Sequence, residues 1–271
     1  MAKHAVRKGE AAILEIRDLN LYFIQYERGL HRRQLHPVKD LSCRLEQGKL
    51  TAIVGGSGSG KSLLAHAILG ILPYNCRLTG DIIYDGGLLT TQRLEQLRGN
   101  ELALVPQGVS YLDPMMKVGD QIRKGKKDPA SRERCLELLK RYGLDETTEQ
   151  LYPFELSGGM ARRVLIASAL MEHPKLIIAD EPTPGLELHT ARRVLGHFRE
   201  MAEEGAAVLL ITHDLELALE AADRILVFYE GTIIEDITPE AFRAGRGLKE
   251  PYTQALYEAL PGHGFDREPE R

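Results

Sequence analysis

The feature that most constrains this chain is a glycine-rich run after the apolar stretch 50–54, which reads Gly55-Gly56-Ser57-Gly58-Ser59-Gly60-Lys61-Ser62. It fits G-x-x-x-x-G-K-[ST] at every fixed position. We expect a buried strand, a loop whose amides face phosphate oxygens, and a helix over 62–72 with its positive end at the anion. Lys61 would contact the β- and γ-phosphates, and the Ser62 hydroxyl would bind Mg²⁺. A flexible loop that matches by chance would leave the flanking strand and helix unexplained.

Composition excludes several classes of protein. The 271 residues suit one large domain or a core with a small subdomain. With 35 Lys+Arg against 39 Asp+Glu, bulk charge gives no basis for nucleic-acid binding. Cys43, Cys76 and Cys135 lack metal-binding spacing, so we expect reduced thiols in a cytosolic protein. The polar, basic segment 1–10 and the lack of a long apolar run predict neither a secretory signal nor a membrane span.

Strands and helices alternate along most of the sequence. Alternating or continuous apolar runs predict strands at 13–23, 38–45, 80–86, 102–107, 175–180 and 207–213, with a closing hairpin at 225–228 and 232–234. Helical spacing predicts helices at 157–170, 190–203 and 215–222, and the charged segment 25–36 predicts a solvated loop. Segment 111–155 indicates helices alone, including 132–142 with a stop at Gly143. The predicted fold class is α/β, with a mostly parallel sheet, one antiparallel section and a helical insertion.

Acidic residues follow the apolar run 175–180. Asp180 can hold Mg²⁺, directly or through water, as the acidic partner of Ser62, and Glu181 can orient or deprotonate an attacking water. A surface acidic pair that begins a turn before Pro182 is the alternative, but it does not explain the buried strand. We therefore expect a hydrolytic site at this strand end.

Two further polar residues follow apolar strands. Gln107 and His213 would meet at the same sheet edge as the phosphate loop, because the carboxyl ends of parallel strands lie together. There Gln107 would contact Mg²⁺ or the attacking water, and His213 would hydrogen-bond the γ-phosphate. Either residue alone would be an ordinary polar side chain, so the prediction depends on their combination.

Over nearly its whole length the chain resembles the ATP-binding subunit of an ABC transporter. The matching motifs are Walker A at Gly55–Ser62, the Q-loop at Gln107, the signature at Leu156-Ser157-Gly158-Gly159-Met160 (Met replacing Gln), Walker B at Leu176–Asp180, the catalytic glutamate Glu181 and the switch histidine His213. Phe23, or its neighbour Tyr22, stands where the family places an aromatic that stacks on adenine. The resemblance implies ATP and Mg²⁺ as ligands and a P-loop NTPase (RecA-like) core with an antiparallel β section and an inserted α-helical subdomain.

The resemblance also implies partners. In this family two subunits meet head to tail, and the amides of Ser157, Gly158 and Gly159 of one complete the phosphate site of the other. We therefore expect a second ATP-binding subunit, two membrane permeases and, indirectly, an extracellular binding protein, with this chain at the cytoplasmic face of the membrane. The implied parts are a catalytic core at 13–108 and 158–235, a helical subdomain at 109–157 and a tail at 236–271.

A finer resemblance is to the peptide/nickel importer subfamily. It is carried by the segments 111–114, 118–122, 152–155 and 251–256. Gly55-Gly56-Ser57, the segment 69–73 and Met160 are most similar to a nickel importer's ATP-binding subunit, so the expected cargo is nickel or a di- or oligopeptide. Specificity for cargo is expected in the binding protein and permeases, and the subfamily favours a related rather than identical partner subunit.

The sequence departs from the family pattern at three places. Pro184-Gly185-Leu186-Glu187 replaces the usual Ser-Ala-Leu-Asp of the D-loop, the helical region around 123–131 is short, and no cysteine follows Cys135, so we predict no iron–sulfur cluster. A soluble ABC ATPase acting on nucleic acid or ribosomes is the alternative, but it would usually carry a second nucleotide domain or long insertions. A mainly regulatory subunit, motivated by Glu187, is opposed by the intact Lys61, Asp180, Glu181 and His213.

Overall fold

The computed structural model describes residues 12–26, 32–56 and 58–260. Ser57 of the phosphate loop and the last eleven residues of the predicted tail lie outside the described residues. The strands are β1 (Ala12–Tyr26), β2 (Arg32–Glu46), β3 (Leu50–Val54), β4 (Cys76–Tyr84), β5 (Gly87–Leu88), β6 (Leu102–Val105), β7 (Leu176–Asp180), β8 (Ala207–Thr212), β9 (Arg224–Tyr229) and β10 (Thr232–Ile237). The helices are α1 (Lys61–Ile68), α2 (Thr91–Leu97), α3 (Val118–Ile122), α4 (Pro129–Arg141), α5 (Gly158–Ala169), α6 (Leu188–Glu203), α7 (Leu215–Ala221), α8 (Pro239–Arg243) and α9 (Pro251–Glu258).

The strands form two sheets. One is six-stranded in the order β10-β9-β3-β8-β7-β6, parallel except for the antiparallel edge strand β10. The other is a four-stranded antiparallel sheet in the order β2-β1-β4-β5. The predicted α/β class is confirmed, with most of the antiparallel section forming a sheet of its own.

Burial on both faces explains the continuous apolar runs of the central strands. Every residue of β3, β7 and β8 is buried. Side chains alternate along a strand, so Leu50, Ala52 and Val54 pack toward the helices while Ile53 packs toward the antiparallel sheet. This double cover is what a parallel sheet requires, and it fixes the strand ends from which the site is built.

Two predicted boundaries are wrong. The helix after the phosphate loop ends at Ile68 and not at residue 72, because the chain turns at Gly70 (φ +62°) rather than at Pro73. The Ile71 amide donates to the carbonyl of His66 in a Schellman arrangement that closes the helix. The segment predicted as a loop over 25–36 pairs as strand up to Tyr26 and again from Arg32, because backbone pairing does not require apolar side chains.

Segment 109–157 contains α3, α4 and three 3₁₀ turns, at Val109–Tyr111, Glu146–Gln150 and Pro153–Glu155, and no strand. Its buried side chains, such as Leu138 and Tyr142, belong to the same apolar cluster as Val194 and Phe198 of α6. The division into a core, a helical subdomain at 109–157 and a tail from 236 therefore remains a proposal. Among the described residues, no helix is both long enough and apolar enough to cross a membrane.

Candidate nucleotide site

The phosphate loop leaves the centre of the six-stranded sheet, where β3 lies between β8 and β9. A Cβ at Gly55 would lie 2.3 Å from the carbonyl oxygen of Phe228, and one at Gly60 (φ +110°) would lie 2.9 Å from that of Pro37. Larger residues cannot fit at these two positions without moving backbone. The loop is thus a cradle of bare backbone at the start of α1, and a chain of phosphates fits its shape and polarity.

Lys61 is buried, and its ammonium group lies over the loop. Its Nζ donates to the carbonyl oxygens of Gly55 at 2.9 Å and Gly56 at 2.8 Å, with the Ser59 hydroxyl at 3.4 Å. Burial lowers the pKa of Lys61, although the nearby Glu181 and Asp180 carboxylates raise it. The cation is therefore held inside the cradle by groups that a phosphate could replace.

Ser62 and Asp180 meet as predicted. The Ser62 hydroxyl donates to Oδ1 of Asp180 at 3.1 Å across the gap between α1 and the end of β7. Asp180 is buried, and burial raises its carboxyl pKa although the Ser62 hydrogen bond lowers it. A cavity of about 160 Å³ opens beside the pair and is also lined by Gln107. Hydroxyl, carboxylate and amide oxygens are the hard ligands that Mg²⁺ prefers, so these residues fit that ion.

Glu181 is held in an unusual backbone conformation. Its φ of +48° is in the left-handed region, its amide donates to the Ile211 carbonyl at 2.9 Å, and its Oε2 is 2.8 Å from Nδ1 of His213. Glu181 is buried, whereas the His213 side chain is half exposed. A non-glycine residue keeps such a conformation when its surroundings fix it, and such positions cluster at functional sites.

Arg162 of α5 also contacts the carboxyl edge of the sheet, although no sequence motif predicts a role for it. Its guanidinium donates from Nη1 to the carbonyl oxygen of Glu181 and from Nη2 to that of Gln107, both at 2.7 Å. Burial lowers the pKa of Arg162, and the charge of Glu181 opposes the shift. The apolar pattern of α5 predicted a helix but not the direction of its polar side chains.

Tyr252 is the second residue that sequence reasoning missed. Its hydroxyl accepts a hydrogen bond from the Gly56 amide at 3.0 Å, and its ring stacks on Tyr229 with centroids 4.3 Å apart. In the sequence, the segment 251–256 is distinguished only by its resemblance to a subfamily tail. The contact shows that α9 packs directly on the phosphate loop.

The signature residues lie at the exposed start of α5. Ser157 is the N-cap, and its hydroxyl accepts from the Met160 amide at 3.3 Å. Ser157 and Gly158 are exposed, and a Cβ at Gly158 would meet no atom within 4 Å. Gly159 faces the atypical D-loop, where Leu186 lies 3.8 Å from its Cβ position. The signature turn is therefore accessible at Ser157 and Gly158, whereas Gly159 is partly covered by the D-loop of the same chain.

The predicted adenine-stacking aromatics differ in surroundings. The Tyr22 ring stacks on His36 with centroids 4.2 Å apart and an interplanar angle of 22°. Phe23 is partly buried and pairs in register with Leu35 and Cys76. Phe23 remains the predicted contact to the base, with Tyr22 as the alternative.

This fold and this arrangement of Lys61, Ser62 and Asp180 define a P-loop nucleoside-triphosphatase. The family model described as ABC transporter matches residues 38–184. The chain belongs to this family, as the resemblance predicted, and is an ATP-binding subunit that binds ATP with Mg²⁺ and hydrolyses the nucleotide.

Relatives and solved structures agree with this assignment. The dipeptide transport ATP-binding protein DppD of Haemophilus influenzae is 37% identical over 264 residues, which cover 92% of this chain and 78% of that protein. The oligopeptide transport ATP-binding protein AppD of Bacillus subtilis is 33% identical over 270 residues, or 93% and 79% of the two chains. An ATP-binding cassette solved as a dimer in a post-hydrolysis state with ADP and Pi has a TM-score of 0.73 and 26% identity, covering 83% of this chain and 98% of that chain.

Proposed function

We propose that this chain lies at the cytoplasmic face of a membrane, where its ATP hydrolysis powers the import of di- or oligopeptides. The observation that carries the proposal is the similarity to dipeptide and oligopeptide transport proteins over more than nine-tenths of the chain. The finer resemblance to a nickel importer has no support among these relatives and is kept as an outcome of the test below. A role on nucleic acid or ribosomes is not favoured.

The roles of the site residues form part of the proposal. The loop amides and Lys61 bind the phosphates, and Ser62, Gln107 and Asp180 hold Mg²⁺, which would neutralise phosphate charge when bound. Glu181 takes a proton from the attacking water. The oxygen of that water bonds to the γ-phosphorus as the bond between the γ-phosphorus and the bridging oxygen breaks, which gives ADP and phosphate. His213, whose Nδ1 lies beside Oε2 of Glu181, keeps that carboxylate oriented and would also hydrogen-bond the γ-phosphate.

The proposal includes a head-to-tail dimer with a related ATP-binding subunit. Each chain has a phosphate cradle with exposed glycines and an exposed signature turn, so two chains that bring these surfaces together would complete both sites. Exposed apolar side chains at Val109, Tyr111, Met115 and Met116 support docking of a membrane permease next to the Q-loop.

The role of Glu181 is tested by Glu181→Gln, which keeps the shape of the side chain but cannot accept the proton at neutral pH. We expect ATP turnover by the assembled transporter to fall by at least ~100-fold at this chain's site, with ATP binding retained. Wild-type turnover in this variant would remove Glu181 from the chemistry.

Cargo is tested with the assembled, membrane-embedded complex and its binding protein. ATP turnover should rise when the binding protein carries a dipeptide and stay at the basal rate when it carries chelated nickel. Stimulation by nickel alone would replace the peptide proposal with the nickel importer. Activity without either response would place the cargo in another class.

A further inference from the structure

We propose that Arg162 is a positioning residue that fixes Glu181 and Gln107 relative to each other. The Glu181 carboxylate and the Q-loop then move together. The inference rests on the proposed role of Glu181 and adds a residue to that site. It depends on contacts of Arg162 that no sequence motif of the site includes.

The first argument is where the sheet stops. The parallel ladder between β6 and β7 ends at the pair Val105↔Ala179, and Pro106 has no amide hydrogen to extend it. Gln107 and Glu181 come two residues after this pair, so the ladder does not join them. The two 2.7 Å hydrogen bonds of Arg162 reach across this gap to both carbonyl oxygens.

The second argument is the strain at Glu181. Two hydrogen bonds fix its left-handed backbone. The Glu181 amide donates to the carbonyl oxygen of Ile211 in β8, and the Glu181 carbonyl oxygen accepts from Arg162. Without the second bond, the peptide after Glu181 could rotate toward an ordinary conformation, and the carboxylate would leave His213. The guanidinium therefore acts on the reacting group through the backbone.

The third argument is the position of Arg162 on α5. It lies little more than one helical turn after the signature residues Ser157–Gly159, which begin the same helix. A partner nucleotide that binds the exposed signature would act on the same rigid helix that holds Glu181 and Gln107. Arg162 thus gives a route by which occupation of the partner's site is felt at this chain's own site.

A fork of two donors is needed, because the two carbonyls are separate acceptors. Arginine supplies that fork, whereas lysine supplies one compact charge. Arg162→Lys therefore removes the two-donor fork but keeps the positive charge, and Arg162→Met removes the fork and the charge. Arg163 is the matched control, since it lies on the same helix and also donates to carbonyls, those of Tyr142, Gly143 and Gly159, but to none that follows β6 or β7.

The experiment measures ATP turnover against ATP concentration in the assembled transporter. The rate of Glu181→Gln, measured in parallel, gives the turnover that remains when this chain's site is inactive. We expect Arg162→Lys and Arg162→Met to lower kcat about tenfold, with KM for ATP changed less than about twofold, and Arg163→Lys to keep kcat within about twofold. Thermal unfolding of each variant shows whether folding is affected.

Three results would overturn the inference. Wild-type kcat in both Arg162 variants, with Glu181→Gln inactive, would remove Arg162 and leave the proposed chemistry intact. An equal fall in kcat for Arg163→Lys at an equal loss of thermal stability would show a purely structural effect of the helix. Wild-type turnover in Glu181→Gln would instead refute the proposed chemistry itself, and this inference with it.

Discussion

Asp180 and Glu149 are both buried carboxylates, but their surroundings shift their pKa values in opposite directions. In the helical segment, Glu149 accepts from Arg132 at 2.7 Å and from Arg123 at 2.9 Å, and the Arg132 hydrogen bond leads the effects that lower its pKa. In the site, burial dominates and raises the pKa of Asp180. The helical segment therefore neutralises its acid internally, whereas the site keeps a charge that a cation from outside can stabilise.

The largest effect that would sharpen this contrast is that of Asp180→Asn. The amide keeps an acceptor for Ser62 but loses the charge that would hold Mg²⁺, so turnover should fall at least ~100-fold, to the level of Glu181→Gln. Without Mg²⁺ and nucleotide, the variant should unfold at a higher temperature than wild type at pH 7, because a buried charge that Ser62 and Lys61 compensate only in part is gone. A variant less stable than wild type would show that the chain itself compensates Asp180.

Glu149→Gln should lower stability and leave turnover nearly unchanged, which is the opposite of what we expect for Asp180→Asn. Removing the acid leaves the mostly buried Arg123 with only the half-exposed Asp120 as a charge partner, and we expect the free energy of unfolding to fall by about 2 kcal/mol, or roughly 4–8 °C in Tm. Turnover per folded molecule should change less than about twofold. The matched control is Glu220→Gln, whose exposed pair with Arg192 should contribute under about 1 kcal/mol. Equal losses in the two variants would contradict the contrast.

The pH dependence of these stability differences should have opposite signs. The folded-state pKa of Glu149 is below its ordinary value of 4.5, so its stabilisation is present above that pH and is lost as the pH falls through the folded value. The folded-state pKa of Asp180 is above its ordinary 3.8, so its penalty is full above the folded value and disappears below 3.8. Urea unfolding from pH 7 to 3.5 without Mg²⁺ would measure both, and differences that do not vary with pH would contradict both shifts.

The smallest expected effect is that of Tyr252→Phe, which tests an ordinary structural bond inside the site. It removes the acceptor for the Gly56 amide but keeps the stack on Tyr229, so the free energy of unfolding should fall by about 1 kcal/mol. Tyr252→Leu, which loses the stack as well, should cost more in the same thermal unfolding assay. No change in either variant would mean that α9 does not support the phosphate loop.

The sequence predicted the parts of the fold that depend on pattern. Continuous apolar runs predicted β3, β7 and β8, because both faces of a parallel sheet are buried. The position of Gln107, Glu181 and His213 just after β6, β7 and β8 led to their prediction as site residues. The predicted end of α1 is wrong because Gly70, and not Pro73, turns the chain after the helix. The extension of β1 to Tyr26 and the early start of β2 at Arg32 were missed, because pairing there is through the backbone rather than through a side-chain pattern.

The contacts of Arg162 and Tyr252 could not be predicted in the same way. Arg162 is one of two adjacent arginines on α5, and only the packing of that helix decides which one reaches the ends of β6 and β7. Tyr252 reaches Gly56 through a helix far along the chain. Both are long-range contacts of polar atoms, which leave no periodic signal in a single sequence.

The distance along the chain between Gly56 and Tyr252, 196 positions, has a consequence for biosynthesis. The apolar strand β3 is made early, but its neighbours β8 and β9 and the helix carrying Tyr252 emerge long after it. At about 5–20 residues per second, the ribosome needs about 10 to 40 s to deliver them. During that interval β3 has no partner in its own sheet, so the nascent chain should depend on chaperones and should acquire affinity for ATP only after these later elements have emerged.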